Sequence, residues 1–286
     1  MRRLLATLLS LGLATACRTA PPTAPEAAAA APRPLRHVSA AECGRCHEAI
    51  YREWHASMHA RANPLRDPIH GALYRKMVGD PTAEGVREHG HPPHCPACHV
   101  PAAALDNTTR LDARPVYLEG VTCTTCHTLT GLKAGGESRG VHSYTRSDER
   151  LQGRGHTGPA SALYPMAAAG AWLGSSELCL GCHGSHRNPK GVPVCRTGEE
   201  ARQGGGGITC QACHMPVVDG HASHAMLGGH SEAMVARGAT VALRTAGGEL
   251  RVELRNRTGH AFPTGAPFRS ARLVVEGTDA AGRVVW

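Results

Sequence analysis

Five pentapeptides in this chain set two cysteines three residues apart with a histidine directly behind the second. They are "CGRCH" (Cys43, Cys46, His47), "CPACH" (Cys95, Cys98, His99), "CTTCH" (Cys123, Cys126, His127), "CLGCH" (Cys179, Cys182, His183) and "CQACH" (Cys210, Cys213, His214). Together they use ten of the 12 cysteines. With 12 Cys and 19 His in 286 residues, chance would supply about 0.03 such pentapeptides, and the spacing is the signature of c-type haem attachment. In that chemistry the two sulfurs add to the vinyl groups of one porphyrin, and the histidine turns its imidazole onto the iron as the proximal ligand. Structural zinc and redox dithiols also use Cys-X-X-Cys pairs. Zinc, which takes two pairs per ion, would leave one pair over, and a dithiol enzyme needs only one. Neither explains a histidine behind every second cysteine. Five c-type haems are expected.

The elements that must position them are short. Cys43 to His214 spans 172 residues, roughly 34 per haem, so the reading is mostly α with extensive loops and little regular structure. The clearest helix is "HEAIYREWHASMHAR", His47 to Arg61, stopped by Asn63-Pro64. Residues 131–160 are rich in Gly and Ser, and "RQGGGG" precedes the fifth motif; such glycines let backbone approach a flat ring. Aromatic residues make up only 3%. Haem faces would supply the missing apolar surface, and little fold is expected without them.

Beyond Gly238 the pattern turns to alternation. "ATVALRTAGGELRVELRNRTG" reads as a hairpin about Gly247-Gly248, and "ARLVVEGTDAAGRVVW" as a second with its turn near Asp279 to Gly282. A small β-rich, sandwich-like C-terminal part is expected, ending inside a strand as an incomplete sequence would.

The chain opens "MRRLLATLLSLGLATAC": a basic n-region, an apolar run from Leu4 to Ala16 and a small-residue cleavage site. The run is too short to span a bilayer comfortably, so it reads as an export signal to the periplasm. Cys17 behind "ATA" resembles the lipidated cysteine of a bacterial lipoprotein, with ordinary cleavage as the alternative. Arg18, in place of the aspartate that retains lipoproteins at the inner membrane, favours outer-membrane attachment. The expected organisation is signal peptide 1–17, Pro/Ala-rich linker 18–36, pentahaem domain 37–237 and β-rich part 238–286. The formal charge of +8 falls to about +6 once Arg2 and Arg3 are removed. Ten haem propionates more than offset that excess, so the basic balance reads as propionate partners and not as a nucleic-acid footprint.

Fourteen histidines remain after the five motifs take theirs, enough to supply second axial ligands. His59 in "SMHA" is the leading candidate. The run "HASHAMLGGH" offers His221, His224 and His230, of which His224 and His230 are taken as ligands. His142 in "GVHSY" joins them, with His70, His94 and His186 behind. His37, His55, His89, His91 and His156 are assigned no role. Met215 sits beside a proximal histidine and cannot easily reach the opposite ring face, and Cys195 reads as a bystander thiol. Mostly bis-histidine haems follow, with lower potentials than His/Met ligation would give. His260, in "NRTGHAFPTGAPFR", reads as part of a plain loop, with an approach to a haem edge or a partner as the alternative.

The pieces "CGRCHEAIYREWHASMHA", "CPACHVPAA", "GVTCTTCHTL" and "ITCQACHMP" resemble multihaem cytochromes c of the cytochrome c-554 type, including the cytochrome c-552/4 domain. The resemblance covers the haem region and not the β-rich tail. It implies a periplasmic electron carrier with closely stacked, mainly bis-His haems, and it gives His59, at the matching S-x-H-A position, a distal-ligand role. The typical member has four haems and this chain five, so ligand pairing does not transfer wholesale.

The favoured function is electron transfer between a donor and an acceptor protein. The alternative is a reductase or oxidase of a small nitrogen or sulfur compound, which needs one open iron. Pentahaem nitrite reductases commonly carry lysine in place of one motif histidine, and all five motifs here end in histidine. A structural or sensing lipoprotein docking through its β-rich tail is the third reading.

Overall fold

Each of the five pentapeptides folds as one helical turn. Three are helices by themselves: α4 (Cys95–His99), α6 (Cys123–His127) and α9 (Cys210–His214). The fourth closes α7 (Glu177–His183). The first bridges α1 (Ala40–Gly44) and α2 (Glu48–Ala56), where the amides of Cys46 and His47 both donate to the Cys43 carbonyl at 3.2 and 3.0 Å. Positions i, i+3 and i+4 share one helix face, so the turn presents both sulfurs and the imidazole to the same side.

The computed structural model describes residues 33–135, 139–153, 164–188, 190–204 and 206–286. The expected signal peptide, the lipid-bearing Cys17, most of the 18–36 linker and His156 lie outside them. Among the described residues no helix is long and apolar enough to cross a membrane. The remaining helices are α3 (Pro68–Met77), α5 (Pro101–Leu105), α8 (Thr197–Gly204) and α10 (Glu232–Gly238). Local chemistry sets their starts. Ser39 and Glu42 close a capping box on α1, and Asp67 caps α3 through the amides of Ile69 and His70, with Pro68 at the first position.

The described strands pair only two by two: β1 (Leu129–Leu132) with β2 (Tyr144–Arg146), β3 (Leu151–Gly153) with β4 (Met166–Ala168), β5 (His186–Arg187) with β6 (Pro193–Cys195), β7 (Val217–Val218) with β8 (His221–Ala222), and β9 (Ala239–Ala246) with β10 (Glu249–Asn256). The β3–β4 pair is parallel and the others antiparallel.

Protein side chains supply two small cores. One gathers Tyr74, Val100, Ala103, Leu111, Val116 and Tyr117, the other Ala40, Trp54 and Ala60. Asn63, wholly buried, stitches the first together: its amide donates to the carbonyls of Leu111 (3.1 Å) and Tyr117 (2.8 Å), and its oxygen accepts from the Leu65 amide (2.8 Å). Asn63→Ala strands those backbone groups and should cost about 3 kcal/mol, read as a lowered denaturation midpoint at unchanged m-value.

Two expectations are corrected. The helix over His47–Arg61 ends at Ala56, because Ser57 turns extended and the His59 carbonyl leaves the helical ladder to accept from the Val121 amide at 3.0 Å. Trp54 Nε1 donates to the Val121 carbonyl at 2.8 Å, so a tertiary clamp outweighs local helix propensity. The C-terminal sandwich does not form among the described residues. β9 and β10 make the expected hairpin about Gly247-Gly248, but the second segment forms no regular strand pair, only a turn beside which Gly277 and Trp286 exchange backbone hydrogen bonds. Asp279 receives the Arg283 amide, and a lone Thr278–Val284 bridge follows. Among the described residues no second sheet covers the hairpin, and Val241, Leu243 and Leu254 stay exposed.

Candidate haem centres

One cavity of about 4010 Å³ runs through the molecule, lined by all ten motif cysteines and all five motif histidines. It exceeds several-fold the ~300–1,000 Å³ of a pocket for one small molecule. Its walls include Ile69, Leu73 and Met77, an i, i+4, i+8 stripe on α3 that stands 53%, 42% and 52% exposed. Apolar side chains in that state call for a large apolar occupant.

The turns meet across the cavity in a definite order. The Cys43 side chain lies beside that of Cys123, as does Cys98 beside Cys182 and Cys179 beside Cys210. Cys126 lies within electrostatic range of both Cys179 and Cys182. The first motif therefore adjoins the third, the third adjoins the fourth, and the fourth also touches the second and the fifth.

Two imidazoles on one metal place their nitrogens about 4 Å apart and their ring centres roughly 6 Å apart, given metal–nitrogen distances of about 2 Å. His59 and His183 have ring centres 6.2 Å apart, His127 and His224 6.3 Å, and His214 and His260 6.3 Å. The last two pairs are near parallel, at 16° and 15°. His70 faces His99 at 4.0 Å, so those rings must part by about 2 Å to share a metal. His70 Nε2 is buried without a hydrogen-bond partner among the described residues.

The opposite ring nitrogens are already engaged. Nδ1 donates to a backbone carbonyl in His70 (Ala62, 2.9 Å), His127 (Gln152, 2.7 Å), His214 (Leu227, 2.5 Å), His224 (Ala222, 2.7 Å) and His260 (Ala261, 2.8 Å). A donating Nδ1 fixes the tautomer whose Nε2 carries the free lone pair, as in metal-bound histidines. His59 Nδ1 lies against Met226 Sδ. Burial is the main reason that His59 is lowered to about 4 and His99 to about 3, with neighbouring imidazoles adding to it. Burial likewise lowers His70, His127 and His224. These rings stay neutral near pH 7 and competent as ligands. No group of three or more His, Cys, Asp or Glu forms a metal site among the described residues. Two-imidazole pairs beside paired cysteines fit haem iron and not a bare ion.

Of the residues expected from sequence, His59 and His224 stand opposite motif histidines. His142 and His230 are exposed at the cavity edge, and neither belongs to a described ring pair with a motif histidine. His70, a weaker candidate, is brought to His99. Met215 follows His214 as the C-cap of α9, and Cys195 rests beside Thr197 Oγ1 at 3.6 Å. His260, for which the sequence favours a plain loop, faces His214. Its signal was a histidine held in a short Gly/Pro-bounded loop, and its place opposite His214 is visible only once the tail folds back.

The family model for cytochrome c554 and c-prime matches residues 42–128. A crystal structure of a penta-haem cytochrome c552 from Thermochromatium tepidum is similar over 89% of this chain and 74% of its own, at 41% identity and a TM-score of 0.82. No curated protein matches the chain.

Proposed function

Since the chain belongs to the multihaem cytochromes c of the c554 type, with a penta-haem relative, we propose that it is an exported electron carrier whose five motifs each hold one c-type haem. When bound, these haems take up and release single electrons. The protein's part is to hold, orient and insulate them. Ten motif cysteines anchor the rings, and His47, His99, His127, His183 and His214 serve as proximal ligands. His70, His224, His59 and His260, which face His99, His127, His183 and His214 respectively, would hold the irons from the other side.

The observation that carries this reading is the set of three imidazole pairs spaced 6.2–6.3 Å across one cavity that every motif lines. At the four haems so paired, nitrogen ligands on both faces would leave the iron no open coordination position, which favours electron transfer over binding of a small substrate there. The contacts of the fourth motif with the second, third and fifth would let electrons reach it from three sides. Exchange partners are redox proteins. The Arg2-Arg3 and Leu4–Ala16 leader supports export to the periplasm, with Cys17 as a site of lipid attachment to the outer membrane.

The test joins mass and spectrum. The mature protein should exceed its polypeptide mass by five haems, and its reduced spectrum should not change under carbon monoxide. A mass equal to the bare polypeptide overturns the reading. A native haem that takes up carbon monoxide, nitrite or hydroxylamine moves the function to the reductase alternative.

A further inference from the structure

Glu53 lies in α2, the helix that grows from the first motif, yet both its carboxylate oxygens reach into the loop that carries His224. Oε2 accepts from the His224 backbone amide at 2.7 Å, and Oε1 accepts from His221 Nε2 at 3.1 Å. The side chains of Glu53 and His221 are each only 23% exposed, so solvent competes weakly for either bond. β7 and β8 are two residues long apiece, and this short hairpin leads directly into His224. An element that small cannot hold a ligand residue in place by itself, because it has almost no core of its own.

We infer that Glu53 is the positioning residue for the distal histidine of the third motif, fixing the backbone from which the His224 ring is aimed at His127. The inference rests on the proposed ligand role of His224. The bond to the His224 amide sets where the residue starts, and its Nδ1 bond to the Ala222 carbonyl sets how the ring turns. Side chains that place a metal ligand without touching the metal act in this way. Glu53 also ties the first motif's helix to the third motif's ligand, so the two adjoining centres share one strut.

The test uses the fully haem-loaded protein and four variants, read by carbon monoxide difference spectra, electron paramagnetic resonance and potentiometric titration. His224→Ala is the reference and should turn one haem of five from low-spin to carbon monoxide-binding. Glu53→Ala should open that same haem. Glu53→Gln keeps an oxygen for the His224 amide, so all five haems should stay low-spin. Loss of its negative charge should raise the potential of one of them. His221→Ala removes only the other bond and should also keep five low-spin haems. If Glu53→Ala leaves every haem low-spin while His224→Ala opens one, Glu53 does not position the ligand. If Glu53→Ala instead loses the haem of the first motif, its role is to support α2 and the inference fails. If His224→Ala itself opens nothing, the ligand assignment falls first and takes the inference with it.

Discussion

His260→Ala should convert one haem in five to a form that binds carbon monoxide and shows a high-spin signal, leaving the other four unchanged. The ring of His260 lies 6.3 Å from that of His214 at an angle of 15°, and the described ring pairs give His214 no second imidazole to replace it. The loop that carries it is well held. Glu200 in α8 accepts from the Ala261 amide at 3.3 Å and from Thr264 Oγ1 at 2.7 Å, while Asn256 Nδ2 donates to the His260 carbonyl at 2.7 Å. Truncating the imidazole should therefore leave the loop in place and remove only the ligand, giving an open position and not a collapsed one. His260→Met should restore a six-coordinate haem and raise its potential, since thioether in place of imidazole favours the reduced state. His55→Ala and His89→Ala, which remove histidines given no ligand role, should leave all five haems low-spin. Carbon monoxide difference spectra and a potentiometric titration read all four variants. Unchanged spectra in His260→Ala would remove His260 from the ligand set.

How far the site could be read from sequence follows from how local each interaction is. A CxxCH motif is complete in five residues, because one helical turn supplies both sulfurs and the imidazole; Cys95–His99 forms that turn with Pro96 inside its first turn and His94 as its N-cap. The proposed distal partners are not local. His59 faces a motif more than a hundred residues onward, and His260 reaches back to His214 from behind a β-hairpin. Spacing says nothing about such pairs, so His260 reads from sequence as part of a plain loop, while His230 is singled out for lying close after the fifth motif. The helix from His47 was legible at its start and not at its end, where the Val121 amide takes the His59 carbonyl. In the tail, alternation of apolar and polar residues correctly marks β9 and β10, but alternation alone does not say whether a second sheet will face them.

Gly140→Ala should prevent the folded, haem-loaded protein from accumulating, whereas Gly135→Ala should be tolerated. The two glycines have nearly the same backbone, with φ +59 and +63, so both substitutions carry the ~1–2 kcal/mol that a side chain costs in left-handed geometry. Their surroundings differ. A Cβ on Gly135 meets nothing within 4 Å, but one on Gly140 would sit 2.3 Å from both the carbonyl carbon and oxygen of Ala97 and 2.8 Å from its Cβ. Ala97 is buried at the centre of the second motif, between the two cysteines that anchor its haem. Backbone cannot rotate aside as a side chain can, so relief requires moving the α4 turn away from the residue 140–143 segment. That segment is itself held, because Ser143 Oγ donates to the Gly181 carbonyl within the fourth motif at 3.3 Å and Tyr144 OH receives the Gly181 amide at 2.7 Å. Moving it disturbs the second and fourth motifs together, at the junction where Cys98 meets Cys182. The added steric cost should exceed about 3 kcal/mol, a large share of the stability of a domain. Yield of holoprotein and its thermal midpoint, measured for both variants side by side, separate the contact from the backbone effect. Equal tolerance of the two alanines would mean that the second motif does not pack against Gly140 in the loaded protein.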